Sequence, residues 1–251
     1  MSFRSQFQAP LRLFCFPYAG AGASIYRAWS NELSAEIEVV PVQLPGRETR
    51  IRETPFTDIA PMVEMLVDSL ADQLRTPFAF FGHSMGALIG FELAQKLRSQ
   101  GAPTPDYLFV SGRRAPPLRC EASPLHALPD HELVERLRKL NGTPEEFFSH
   151  PELLQLWLPV IRADFAVCEN YVYREAAPLD CPTTTFGGLG DVNVGRDALE
   201  AWRNHTTAAF KLRMLPGDHF FLHQCRPMLL RAITDDLRPV MDRQANGASP
   251  R

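Results

Sequence analysis

Phe78-Ala79-Phe80-Phe81-Gly82-His83-Ser84-Met85-Gly86, followed by Ala87 to Leu97 at helical spacing, reads as a strand, a tight turn and a helix in immediate succession. Apolar residues running without polar alternation describe a strand buried on both faces. The same rhythm extends outward from this stretch. Leu11 to Phe16 is a strand that stops at Pro17 and the small residues Ala19 to Ala23, and Tyr26 to Leu33 resumes helical periodicity. Glu38 to Gln43 and Ile59 to Leu74 repeat the pattern. Downstream, Tyr107 to Ser111, Thr183 to Phe186 and Phe210 to Leu215 are predicted strands, with helices around Arg196 to Asn204 and from Phe221 to Val240. This alternation predicts an α/β fold: a mostly parallel, doubly wound sheet with helices on both faces. The alternation breaks between Pro116 and Pro178, where His131 to Leu140 and Pro151 to Tyr173 read as helices with no strand between them. Residues 1–243 are expected to form one domain carrying a helical insertion at about 116–178. The polar stretch 244–251 is expected to be a disordered tail.

Composition narrows the function classes. With 45% apolar and 22% charged residues and a net charge of -3, the 251-residue chain offers no broad field for nucleic acid or an anionic membrane. Neither partner is expected. Met1 to Pro10 lacks the apolar core of a signal peptide, no stretch reaches membrane-spanning length, and a cytoplasmic monomer is the simplest expectation. Five scattered cysteines without a C-x-x-C pair suggest neither a disulfide framework nor a zinc knuckle.

Gly82 to Gly86 matches G-x-S-x-G, and its place between strand and helix is the setting a nucleophile elbow requires. The glycines let the two backbones approach, while Ser84 is held with its hydroxyl exposed; the plainer reading is a serine that caps a helix. Serine needs a base within reach. Of seven histidines, His219 alone follows a late strand in a short loop, on the sheet edge that Ser84 occupies. His223, four residues on, raises a metal pair, but no acidic third ligand stands at a recognisable spacing, so no metal is expected. Asp191 follows the preceding strand and fits the orienting carboxylate, though a turn former would look the same. The order Ser84, Asp191, His219 is that of an α/β-hydrolase. The Met85 N–H at the helix start and the Ala19 N–H in the loop after the first strand are candidate oxyanion donors. An ordinary glycine-rich turn remains the other reading of that loop.

Taken together, Cys15 to Gly20, Gln43 to Glu48, Gly82 to Gly86, Gly187-Gly188 with Asp191, Ala201-Trp202 and Pro216 to Leu222 resemble the type II thioesterases that accompany polyketide synthases and nonribosomal peptide synthetases. The resemblance spans nearly the whole chain. It implies a helical lid over an acyl chamber and hydrolysis of acyl thioesters from the phosphopantetheine arm of acyl or peptidyl carrier proteins. It implies no cofactor, phosphopantetheine being carried by the substrate. Ser84, Asp191 and His219 fall on the family's triad, and Met85 and Ala19 on its oxyanion positions. Two positions depart from the family: Val192 where proline is frequent, and Asp218 where a second glycine is frequent.

Tyr18, Phe148, Trp157 and Phe165 are candidate substrate-binding residues. Phe147, Phe148, Leu153, Leu154, Trp157, Leu158 and Phe165 line either the acyl chamber or the lid's own core. Arg47, Arg113 and Arg114 are candidates for the pantetheine phosphate or an acidic carrier helix. Two rival functions use the same residues: an esterase or lipase on small oxygen esters, and a catalytically silent module that recognises carrier proteins.

Overall fold

A computed structural model describes residues 11–74, 77–118, 124–140, 142 and 148–245. Phe147 and residues 246–251, most of the expected tail, lie outside them. Six strands form one wholly parallel sheet: β1 (Leu11–Phe16), β2 (Ile37–Pro41), β3 (Phe78–His83), β4 (Tyr107–Ser111), β5 (Thr183–Gly188) and β6 (Phe210–Leu215). Their order is β2-β1-β3-β4-β5-β6. The chain leaves β1 towards one edge, then jumps back over it, so loops diverge from the carboxyl ends of β1 and β3. Ligands bind at such a switch point in open α/β sheets.

Strand alternation divides the core in two. Phe14, Phe16 and Phe80 face α2 (Ile59–Leu70) and α3 (Met85–Ser99), whose apolar sides they bury. Leu11, Leu13, Cys15, Ala79 and Phe81 point the other way, onto Leu229, Ile233 and Leu237 of a long C-terminal helix. Each fully buried phenylalanine contributes about 1.5–3 kcal/mol, and sandwiching the sheet this way accounts for its unbroken apolar runs.

Several expected helices differ in detail: that of Ile59 to Leu74 ends at Leu70, that of Pro151 to Tyr173 ends at Glu169, and three others are interrupted. Tyr26 to Leu33 is helical only over the short α1 (Trp29–Glu32), with a 3₁₀ turn, Ala23–Tyr26, before it. Arg196 to Asn204 is α6 (Arg196–Glu200) continuing into a 3₁₀ turn, Ala201–His205. Phe221 to Val240 is two helices, α7 (Phe221–Gln224) and α8 (Arg226–Ala245). Pro227 explains the last break, because inside a continuous helix it lacks an N–H and its ring meets the preceding turn.

Between β4 and β5 lie α4 (Asp130–Leu140) and α5 (Pro151–Glu169). Pro151 sits at the first turn of α5, where its missing N–H costs nothing. Arg162 of α5 holds the start of α4 through the carbonyls of His126 and Leu128 and the carboxylate of Asp130. No helix among the described residues is long and apolar enough to cross a membrane.

Candidate active site

β3 ends at His83 and α3 begins at Met85, leaving one residue to make the turn. That residue, Ser84, has φ 52° and ψ −110°, a conformation that costs a non-glycine residue on the order of 1–3 kcal/mol. Its N–H donates to the Ser111 carbonyl (2.8 Å), and its own carbonyl accepts from Ala87 N (3.2 Å). A Cβ on Gly82 would overlap the Gly86 carbonyl, and one on Gly86 would overlap the carbonyl of Phe16 at the end of β1. The glycines therefore let β1, β3 and α3 meet backbone to backbone. Within the pentapeptide only Ser84 reaches the surface.

Backbone bonds tie the loops after β5 and β6 together: Leu189 N donates to Leu215 O and Gly190 N to Gly217 O, both at 2.8 Å. They bring Asp191 Oδ2 to 2.7 Å from His219 Nδ1. Oδ1 accepts from the amides of Asn193 (2.8 Å) and Val194 (3.1 Å). Burial pushes the Asp191 carboxyl up, but the His219 contact and these amides outweigh it and hold it below the ordinary aspartate range. An ionised carboxylate on Nδ1–H leaves Nε2 as the basic nitrogen. Ser84 and His219 are not hydrogen-bonded to each other here; the imidazole stands 5.1 Å, ring centre to ring centre, from His83, the residue before Ser84. Catalytic hydrogen bonds are commonly long without substrate.

Both departures from the family pattern have a local account. The Asp191 bonds come from residues 193 and 194, so the Val192 amide is not needed, and its side chain stands 95% exposed. Asp218 spends an oxygen on Phe220 N (2.8 Å) in the turn before α7.

The loop after β1 completes the arrangement. Tyr18 to Ala21 is a turn closed by Ala21 N to Tyr18 O (3.0 Å), with Gly20 at φ +80° in the third position, as a type II turn requires. Phe16 and Pro17 lie against Gly86, so this loop abuts the start of α3. Neither Ala19 N–H nor Met85 N–H donates to an acceptor among the described residues. A strained serine, an imidazole backed by a carboxylate and two uncommitted amides are the parts of an acyl-transfer centre.

Residues 11–237 match the family model described as a thioesterase domain. The chain belongs to the thioesterase family. Gramicidin S biosynthesis protein GrsT of Aneurinibacillus migulanus is 46% identical over 233 residues, 93% of this chain and 91% of that one. Thioesterase PikA5 of Streptomyces venezuelae is 36% identical over 228 residues, 90% and 81% of the two chains. The solved structure of RedJ, a thioesterase from the prodiginine pathway of Streptomyces coelicolor, superposes with a TM-score of 0.87 at 44% identity, covering 92% and 91%. The fold is thus that of the α/β-hydrolases, and the enzyme hydrolyses thioesters.

Around this thioesterase's dyad, His83 is fully buried, with Nδ1 2.9 Å from Ser111 Oγ and Nε2 facing the His219 backbone without a hydrogen bond of normal geometry. Burial, then the neighbouring His219 and His223, hold His83 well below the ordinary histidine range. His223, considered above as a metal partner, meets the Tyr18 hydroxyl at 3.0 Å. Tyr18, whose hydroxyl burial pushes up to about 12, packs on His83, Phe220 and His223, behind the histidine loop. Phe148, Trp157 and Phe165 are partly buried against Leu133, Leu137, Leu158 and Ile161. They form a small core of the two helices between β4 and β5, and that core extends to Ala19.

Arg47 corrects an expectation. Rather than waiting for a phosphate, it is buried, with Nη1 2.6 Å and Nη2 2.8 Å from the two oxygens of Asp164. Arg114 donates to the Asn193 carbonyl at 2.9 Å, bracing the acid loop. Asp164 itself escaped the sequence reading. One signal pointed to it: a carboxylate three residues beyond Ile161 lies on the apolar face of α5, where it requires a partner.

Proposed function

We propose that this thioesterase releases acyl groups from the phosphopantetheine arm of acyl or peptidyl carrier proteins, clearing stalled or misprimed units from a synthase. The observation that carries the chemistry is the 2.7 Å contact of His219 Nδ1 with a buried Asp191 whose other oxygen is saturated by backbone amides, beside the elbow. The pathways named for GrsT, PikA5 and RedJ support the substrate class.

In this scheme His219 Nε2 takes the Ser84 hydroxyl proton as Oγ attacks the thioester carbonyl. The amides of Met85 and Ala19 receive the oxyanion, and Asp191 stabilises the imidazolium. Collapse breaks the carbon–sulfur bond, and the imidazolium proton goes to the departing thiol. A water deprotonated by His219 then attacks the acyl-enzyme, and Ser84 recovers its proton as the acid leaves. A thiol leaves readily, so no metal or cofactor is required, and one chain in the cytoplasm suffices.

Ser84→Ala should abolish release of acyl chains from a loaded carrier protein, and wild type should favour the carrier thioester over a matched oxygen ester. Undiminished turnover in Ser84→Ala would reject the mechanism. Faster hydrolysis of the oxygen ester would reject the substrate class.

A further inference from the structure

We infer that Asp164, clamped by Arg47, is a positioning residue for the oxyanion loop, so that the lid helix α5 and the oxyanion hole are one mechanical unit. The inference rests on the acyl-transfer reading of Ser84 and deepens it. Between Tyr18 and Ala21 there are three peptide planes, and each is held from outside or across the turn. The Tyr18–Ala19 plane, which carries the Ala19 N–H, is fixed by Ala21 N donating to Tyr18 O. The Ala19–Gly20 plane is fixed by Gly20 N donating to Asp164 Oδ2 at 2.7 Å. The Gly20–Ala21 plane is fixed by Trp157 Nε1 donating to Gly20 O at 2.9 Å. The last two restraints come from α5.

The middle plane matters most. Type I and type II turns differ by a flip of that peptide, and Asp164 accepts the N–H that a flip would withdraw. Gly20 admits no side chain at this clamp, since a Cβ there would overlap Ile161 and press on Trp157. Arg47 aims the carboxylate: its guanidinium grips both Asp164 oxygens, donates to Ala21 O at 3.1 Å and to Pro45 O at 3.2 Å, and so ties α5 to the loop after β2. Gln43 continues the brace, accepting from Ala23 N and donating to Arg47 O. Moving this part of α5 outward would break the pair and release the turn together.

The test uses Arg47→Met/Asp164→Leu, because removing both members of a buried ion pair is tolerated far better than stranding one, and Trp157→Phe, which removes the indole N–H while keeping an aromatic ring, though a smaller one, against Ile161 and Leu158. Two readouts are taken: kcat and KM on an acyl-pantetheine, and the rate of Ser84 modification by a fluorophosphonate, which needs the same hole but no thioester. An oxyanion contact is made only in the transition state, so kcat should fall at least about tenfold, towards the 10²–10³ typical of a lost donor, while KM stays within about threefold. Fluorophosphonate labelling should slow in parallel. Trp157→Phe should lower kcat in the same direction by about three- to tenfold at unchanged KM, and it decides the matter if the double variant does not fold. Unchanged kcat, or a loss confined to KM, would overturn the inference and leave Asp164 a packing residue of the lid. A wild type that labels at Ser84 yet spares a loaded carrier protein would instead refute the substrate class, with labelling rates still testing the positioning role.

Discussion

Asp191 divides its carboxylate between two duties, one oxygen to its own loop and one to the imidazole. Asp191→Asn keeps the size but presents an amide that favours the wrong tautomer. It should lower kcat by roughly 10³–10⁴-fold, with the melting temperature nearly unchanged, as steady-state kinetics and a thermal scan would show. The three triad candidates were legible because each rests on a local pattern: a glycine-flanked serine after a buried strand, and a carboxylate and a histidine in the loops closing the last two strands. Arg47 and Asp164 were not. They stand 117 residues apart, and neither the helical spacing of α5 nor the loop around Pro45 names the other as partner. Pairing across such a separation is a property of packing, not of pattern.

At the level of elements, the elbow is where β1, β3 and α3 touch through glycine. Gly86→Ala would drive a methyl group into the Phe16 carbonyl, a backbone atom that cannot turn aside. Overpacking of this kind costs about 1–3 kcal/mol or more, so the variant should unfold at clearly lower urea and lose turnover even where it remains folded. The central strands β3 and β4 are easy to read because they are apolar on both faces and run into the turn at Gly82 to Gly86 or into Gly112. Short 3₁₀ pieces such as Ala201–His205 carry no periodicity of their own and are not separable by pattern from the helix they follow. The break at Cys225 was written in the sequence as Pro227, but Pro159 and Pro239 lie inside helices here, so proline alone does not mark an end.

For the molecule as a whole, the buried histidines set how it responds to acid. His83 is held well below its ordinary range by burial, and the buried His205 is lowered as well, again by burial. Below about pH 6.5 the unfolded chain takes up protons that the native state refuses, so stability is full above that value and is lost as pH falls through the native-state values, by up to about 1.4 kcal/mol per pH unit for each such group. Urea midpoints measured from pH 7 to 5 should therefore decline, and His83→Gln should flatten the decline. An equal slope in that variant would mean that His83 charges without unfolding.

The reach of the Arg47–Asp164 pair also constrains how relatives can be recombined. A chimera joined anywhere between those positions keeps one member of the pair from this chain and leaves its partner to whatever the other parent supplies. Grafting a foreign cap onto this hydrolase body is then not a neutral exchange of covers: unless the graft brings a carboxylate to meet Arg47, a guanidinium is stranded in the interior.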